Sequence, residues 1–223
     1  MCHQRRSNRV IRRVSSKMRK KWSNGLILCL LSVGIQQFGG AAIIQAKAKL
    51  APILIEVAWM ETLQLDGQVV KPWPWADTWP VGRLQVPELD VDLFILEGDS
   101  GNALAFGPGR ALPSAQLGSA GTAVVGGHRD THFAFLEELR KGHQMQVQVP
   151  SGERREYLVE EVRVVDSRIE SLTVDDTSNA LLLVTCYPFD AIQAGGGLRY
   201  VVTAVPGEWD LISKVSSAGV WEL

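Results

Sequence analysis

The sequence predicts a mainly β domain, a closed barrel or sandwich with little helix, set behind an N-terminal transmembrane helix. Three observations carry that expectation. Residues 1–21 hold nine basic residues and no acid, and residues 22–46 hold no charge at all. From residue 81 onward, at least seven short runs alternate or cluster as strands do, separated by glycine, proline and polar turns.

The basic stretch, Arg5 to Lys21, comes first. The apolar core behind it runs from Gly25 to Ile44, with Gln36 and Gln37 near its middle. About 20 apolar residues are enough for a helix to cross the hydrocarbon of a bilayer. Trp22 sits where an interfacial aromatic belongs, and the positive charge marks the cytoplasmic side. Ala46-Lys47-Ala48 is loosely a signal-peptidase pattern. The long basic region and long apolar stretch favour an uncleaved anchor instead. Either way the remainder of the chain is expected outside the inner membrane, in the periplasm or beyond it.

The whole chain has 23 basic and 24 acidic residues; without the basic tail, 14 face 24, a net of −10. No nucleic-acid partner is expected from such a balance. The tail itself reads as a topology signal and a contact for anionic lipid.

Residues 47–66 have an apolar period of three and four through Leu50, Ile53, Leu54, Val57, Ala58, Met60 and Leu63, predicting an amphipathic helix that Asp66-Gly67 ends. Lys71-Pro72-Trp73-Pro74-Trp75-Ala76-Asp77-Thr78-Trp79-Pro80 follows. Its prolines forbid regular helix or central strand. It reads as an extended strap packed over the domain, with a membrane-interface contact as the other reading of its tryptophans.

Strands are expected at 83–86, 91–96, 122–125, 145–149, 157–165, 180–186 and 198–205, and a helix at 133–141, where Phe133, Phe135, Leu136 and Leu139 precede Gly142. The expected layout is a basic tail (1–21), an anchor (22–46), a helix and strap (47–80), a barrel (81–206) and a C-terminal tail (207–223).

Three polar residues stand at strand ends: His128 after Gly126-Gly127, Cys186 at the end of Ala180 to Thr185, and Arg199 after Gly195 to Leu198. The other cysteines, Cys2 and Cys29, lie at or before the anchor, so Cys186 has no partner on its own side. An unpaired thiol in an oxidising compartment is a hazard unless its reactivity is used. A cysteine nucleophile needs a partner that supplies thiolate, and acyl transfer needs a donor for the oxyanion. Arginine donates without losing its proton. His128, Cys186 and Arg199 therefore make a sufficient set for covalent acyl transfer. Taken singly, each also suits a structural role.

Leu182-Leu183-Val184-Thr185-Cys186 resembles the Thr-Leu-x-Thr-Cys signature of the sortase family at four of five positions, with Leu182 in place of the first threonine. Gly127-His128 and Leu198-Arg199-Tyr200 fall in the same order and at similar spacing. The Lys71–Pro80 strap, Leu104 to Gly109, Gly127 to Phe133 and Val184 to Asp190 resemble the Gram-negative class, class GN. The resemblance covers about residues 45–206.

The resemblance implies an eight-stranded barrel with short helices and a membrane-anchored cysteine transpeptidase. Such an enzyme cleaves an LPXTG-like C-terminal sorting signal of a substrate protein and passes the acyl group to an amine acceptor. It implies Cys186 as nucleophile, His128 as general acid, Arg199 as substrate and oxyanion ligand, and Thr185 as a substrate-positioning residue. No cofactor is expected. His128 and His132 are four apart, but Gly126-Gly127 precedes them and no HExxH glutamate is present, so no metal site is expected. His132 is expected to pack or hydrogen-bond near the site, and Asp130 to orient a charged neighbour. The compact Ser-His-Gly-Cys motif of L,D-transpeptidases is absent, although that class and a non-catalytic membrane-anchored β-module remain the alternatives.

Overall fold

A computed structural model describes residues 31, 32, 34, 36, 49–171, 178–191 and 196–207. The basic tail lies outside the described residues, as do most of the expected anchor and all but the first residue of the C-terminal tail. No helix among the described residues is long and apolar enough to cross a membrane.

Eight strands close a barrel. In chain order they are β1 (Pro80–Val86), β2 (Val91–Glu97), β3 (Gly109–Arg110), β4 (Ala123–Gly126), β5 (Gln144–Gln148), β6 (Arg154–Asp166), β7 (Leu181–Cys186) and β8 (Leu198–Pro206). Around the barrel the order is β1-β2-β3-β4-β7-β8-β6-β5. Strands β2 and β3 pair in parallel, as do β4 and β7; the other neighbours are antiparallel.

Period-two alternation drives the closure. On β1, Leu84 and Val86 are buried between half-buried neighbours, and on β7 Leu181 and Leu183 point to the same interior. That interior also takes Ile95, Val125, Met145, Val159, Val202 and Ala204. A bulge between Val159 and Glu161 shifts the alternation of β6 by one residue. Tyr157 and Val159 therefore face the main core, whereas Val165 joins Leu182 and Val201 in a second apolar cluster on the outer face.

The two-residue β3 had no sequence signal, being too short to alternate. Arg110 holds it in place. The guanidinium pairs with the Glu97 carboxylate through both Nε and Nη2, and Nη1 donates to the Ser114 carbonyl at 2.8 Å.

Two expectations change. Residues 133–141 form a short 3-10 turn, Ala134–Glu137, in place of the expected helix. Phe133, Leu136 and Leu139 are all fully buried, and their spacing of three is the period of a 3-10 turn. The Leu136 and Leu139 amides each donate to the carbonyl three residues back.

The expected helix does form, at 49–64, but its buried face differs. Ala51, Ile55, Ala58, Trp59 and Thr62 are buried, whereas Ile53, Val57 and Met60 are exposed. Both faces are apolar, so periodicity alone did not choose between them. Small Ala51 and Ala58 permit close approach, Ile55 packs with Leu96 and Ala103, and Trp59 meets Phe94 at 6.3 Å. In the strap, Trp73 packs edge-on against Phe106 and Lys71 lies over Trp79, but Trp75 projects outward.

Leu181 lies on a central strand with no exposed surface. We expect Leu181→Ala to destabilise the domain by about 2–5 kcal/mol in urea unfolding. Leu158→Ala, on the exposed face of β6, should cost less than about 1 kcal/mol.

Candidate active site

Strand alternation and register bring the three chemical residues to one face. On β7, Leu181, Leu183 and Thr185 point inward, which turns Leu182, Val184 and Cys186 outward. On β4, Ala123 and Val125 point inward and Val124 outward, and the same alternation carried past Gly126 directs His128 outward. On β8, Val202 and Ala204 belong to the main core and Val201 to the outer cluster, so Arg199 shares the outer side. Cys186 is the cross-strand partner of Arg199. The β4–β7 ladder ends at Gly126↔Val184, and His128 and Cys186 each follow it by two residues. All three therefore stand at the same end of three adjacent strands. His128 is exposed; Cys186 and Arg199 are half-buried.

The inner layer beneath them is tightly specified. Thr185 is 2% exposed, and its hydroxyl donates to the Gly127 carbonyl at 2.8 Å. The Gly127 amide donates to the Val184 carbonyl at 3.1 Å. A Cβ on Gly127 would stand 2.7 Å from the Phe133 ring, so a side chain there would push the strand end off the core. The Phe133 amide in turn donates to the His128 carbonyl at 3.0 Å. The Thr185 hydroxyl, on a residue expected to position substrate, is thus bonded to the backbone that carries His128.

Arg199 Nη1 donates to the carbonyls of Gly196 at 2.6 Å and Leu198 at 2.9 Å. Beside it, the turn at the end of β6 clasps Gly197: the Ser167 amide and hydroxyl both donate to the Gly197 carbonyl. A Cβ on Gly197 would collide with Arg168 and Asp166. The side-chain hydrogen bonds from Arg168 hold the Asp166 carboxyl down to about 2, aided by the Arg168 amide and more weakly by the charge of Arg199. Asp166 is therefore ionised near the guanidinium at any neutral or mildly acid pH. The sequence carried no sign of this, since nothing marks which acid a β6 turn will bring to the arginine.

Arg129, the residue after His128, also passed unremarked in the sequence. It is 6% exposed, and its Nη1 donates to the Pro188 carbonyl at 2.6 Å, Nη2 to the Ala191 carbonyl and Nε to Asp130 at 3.0 Å. Asp130 thus pairs with a charged neighbour. Tyr187, Phe189 and Tyr200 form a ring cluster under the same loop, with Tyr187 stacked on Tyr200 at 6.0 Å. Cys186 is the free cysteine among the described residues.

His132 is half-buried near His128, with Nδ1 3.4 Å from the Thr131 hydroxyl. Burial, then the charge of His128, pushes its proton affinity below the ordinary histidine value of 6.5. The fold therefore favours neutral His132, and the unfolded chain binds more protons. Stability should fall as pH drops below about 6.5 toward the lower folded value. Urea midpoints measured at neutral and mildly acid pH should differ less in His132→Gln than in the parent.

A model of the Sortase domain matches residues 84–207. Sortase D of Bacillus subtilis (strain 168) is 33% identical over 122 residues, which span 54% of this chain and 61% of that protein. Among solved structures, a Clostridium perfringens sortase D5 transpeptidase superposes with a TM-score of 0.56 at 17% identity, covering 71% of this chain and 99% of the other. Sortase A of Corynebacterium diphtheriae gives 0.52 at 20% identity, over 79% and 95% of the two chains. A C. perfringens sortase C with the C-terminal cell wall sorting motif gives 0.52 at 18%, over 73% and 90%. At these identities the structural likeness speaks for the fold. The family model spans more than half of the chain, including every strand from β2 to β8 and all three strand-end residues. The chain belongs to the sortase family.

Proposed function

We propose that this protein is a membrane-anchored cysteine transpeptidase of the class GN type, acting on proteins that end in an LPXTG-like sorting signal. The observation that carries the reading is the convergence of His128, Cys186 and Arg199 on one face at one end of β4, β7 and β8. The four sequence blocks described above support the class. The basic tail followed by an uncharged apolar stretch supports a single-pass inner-membrane anchor, with the N-terminus in the cytoplasm and the barrel in the periplasm. The sorting motif in the related C. perfringens structure supports the substrate class.

The chemistry follows from the residue types. The Cys186 thiolate attacks the carbonyl carbon of the threonine–glycine bond, and the carbonyl electron pair moves onto oxygen. Arg199 faces that oxyanion as a fixed cationic donor. Collapse re-forms the carbonyl and breaks the carbon–nitrogen bond, while protonated His128 delivers its proton to the leaving glycine amine. A thioester on Cys186 remains. An acceptor amine then attacks the thioester, gives a proton to His128 and expels the thiolate. Water in place of the amine would release the free acid.

We expect Cys186→Ala, His128→Ala and Arg199→Ala each to lower kcat/KM for an LPXTG-type peptide by at least about a hundredfold, with near-UV circular dichroism unchanged. Undiminished cleavage by Cys186→Ala would refute the reading. Turnover of murein tetrapeptides in place of sorting peptides would reassign the enzyme to the L,D-transpeptidase class.

A further inference from the structure

Arg129 is charged, buried and bound to two main-chain oxygens of one loop. Its backbone directly follows His128. Its guanidinium reaches Pro188 and Ala191, in the segment that leaves β7 two residues after Cys186. A buried guanidinium is costly unless its fork is filled, and here the fork is filled by the carbonyls of the opposite loop and by Asp130. We propose that Arg129 is a positioning residue that bolts the His128 loop to the Cys186 loop, so that the acid and the nucleophile keep one fixed separation. This rests on the transpeptidase reading for its consequence in turnover, although the brace itself stands on geometry alone.

Two features argue that the brace serves the site and not only the fold. First, the barrel closes without it. The β4–β7 ladder is complete from Ala123↔Leu181 to Gly126↔Val184 before Arg129 begins. Second, its acceptors lie on the loop beyond the ladder, where no strand partner fixes the chain. The Thr185–Gly127 bond ties the two strand ends from the inner side, and Arg129 ties the two loops past them. Between these ties sit His128 and Cys186. Lysine retains the charge but lacks the planar fork, so it cannot reproduce the separate placement of Nε, Nη1 and Nη2 on three acceptors.

The test uses the full chain in detergent, with Arg129→Lys and Arg129→Gln beside the parent. Two readouts are taken: kcat and KM for a sorting-type peptide, and the rate of Cys186 alkylation by iodoacetamide across roughly pH 5 to 9, mapped by peptide mass spectrometry. We expect kcat to fall about tenfold in Arg129→Lys and about a hundredfold in Arg129→Gln, with KM within about twofold, as misplacement of a reacting group predicts. The alkylation–pH profile should shift in both. Arg129→Lys decides the matter if Arg129→Gln fails to fold. Parent-like kcat and alkylation profile in folded Arg129→Lys would overturn the proposal, as would a loss of kcat that only tracks the folded fraction. If the parent does not cleave sorting peptides, the transpeptidase reading fails, and the alkylation profile still decides the role of Arg129.

Discussion

The parallel pairing of β4 with β7 is the constraint on which the site depends. Parallel neighbours cannot be joined by a tight turn, so the two strands come from distant parts of the chain and only their ladder sets their register. That register ends both strands together, two residues before His128 on one and Cys186 on the other. A slip of one residue would turn one of them into the core. The hydrogen bond from Thr185 to the Gly127 carbonyl locks the register at the end that matters. Because Thr185 is buried, loss of that bond would leave a carbonyl unsatisfied beneath the site, at a cost of about 1–3 kcal/mol. Gly127 completes the arrangement by letting the Phe133 ring lie against the strand where any side chain would collide.

Around this seam the protein uses buried arginine as a brace. Arg110 pairs with Glu97 and bonds the Ser114 carbonyl, fixing the shortest strand to the loop behind it. Arg129 does the same between the two loops that carry the histidine and the cysteine. In both cases several partners share the cost of taking a cation out of water. Arg199 is arranged differently. It is half-buried, its bonds to backbone among the described residues are made by Nη1, and ionised Asp166 lies nearby. Among the hydrogen bonds described for the three arginines, those of Arg199 leave the most of the fork open to a ligand.

The amino-acid sequence made most of the barrel visible, because β1, β5, β6 and β8 alternate with period two and β7 is an unbroken apolar run. The strand-end chemistry was also visible, since Cys186 and Arg199 each close or open a clear strand and His128 follows a Gly-Gly pair. What escaped was whatever depends on contacts between distant segments. The two-residue β3 has no period to read. The turn at 134–137 shares its apolar spacing with a helix over so short a stretch. The outer helix is apolar on both faces, and only the barrel decides which is covered. Arg129 and Asp166 look like ordinary surface charges until the loops that receive them are in place. The transmembrane expectation for 22–46 falls largely outside the described residues.

If register at the strand ends is what makes the site, the Thr185 hydroxyl should matter more than the side-chain volume. The direct measurement is peptide cleavage by Thr185→Val and Thr185→Ser, with the folded fraction of each determined in parallel. We expect Thr185→Val to lose about tenfold or more in kcat and Thr185→Ser, which keeps the donor, to stay within about threefold of the parent. Equal activity in both folded variants would contradict the account.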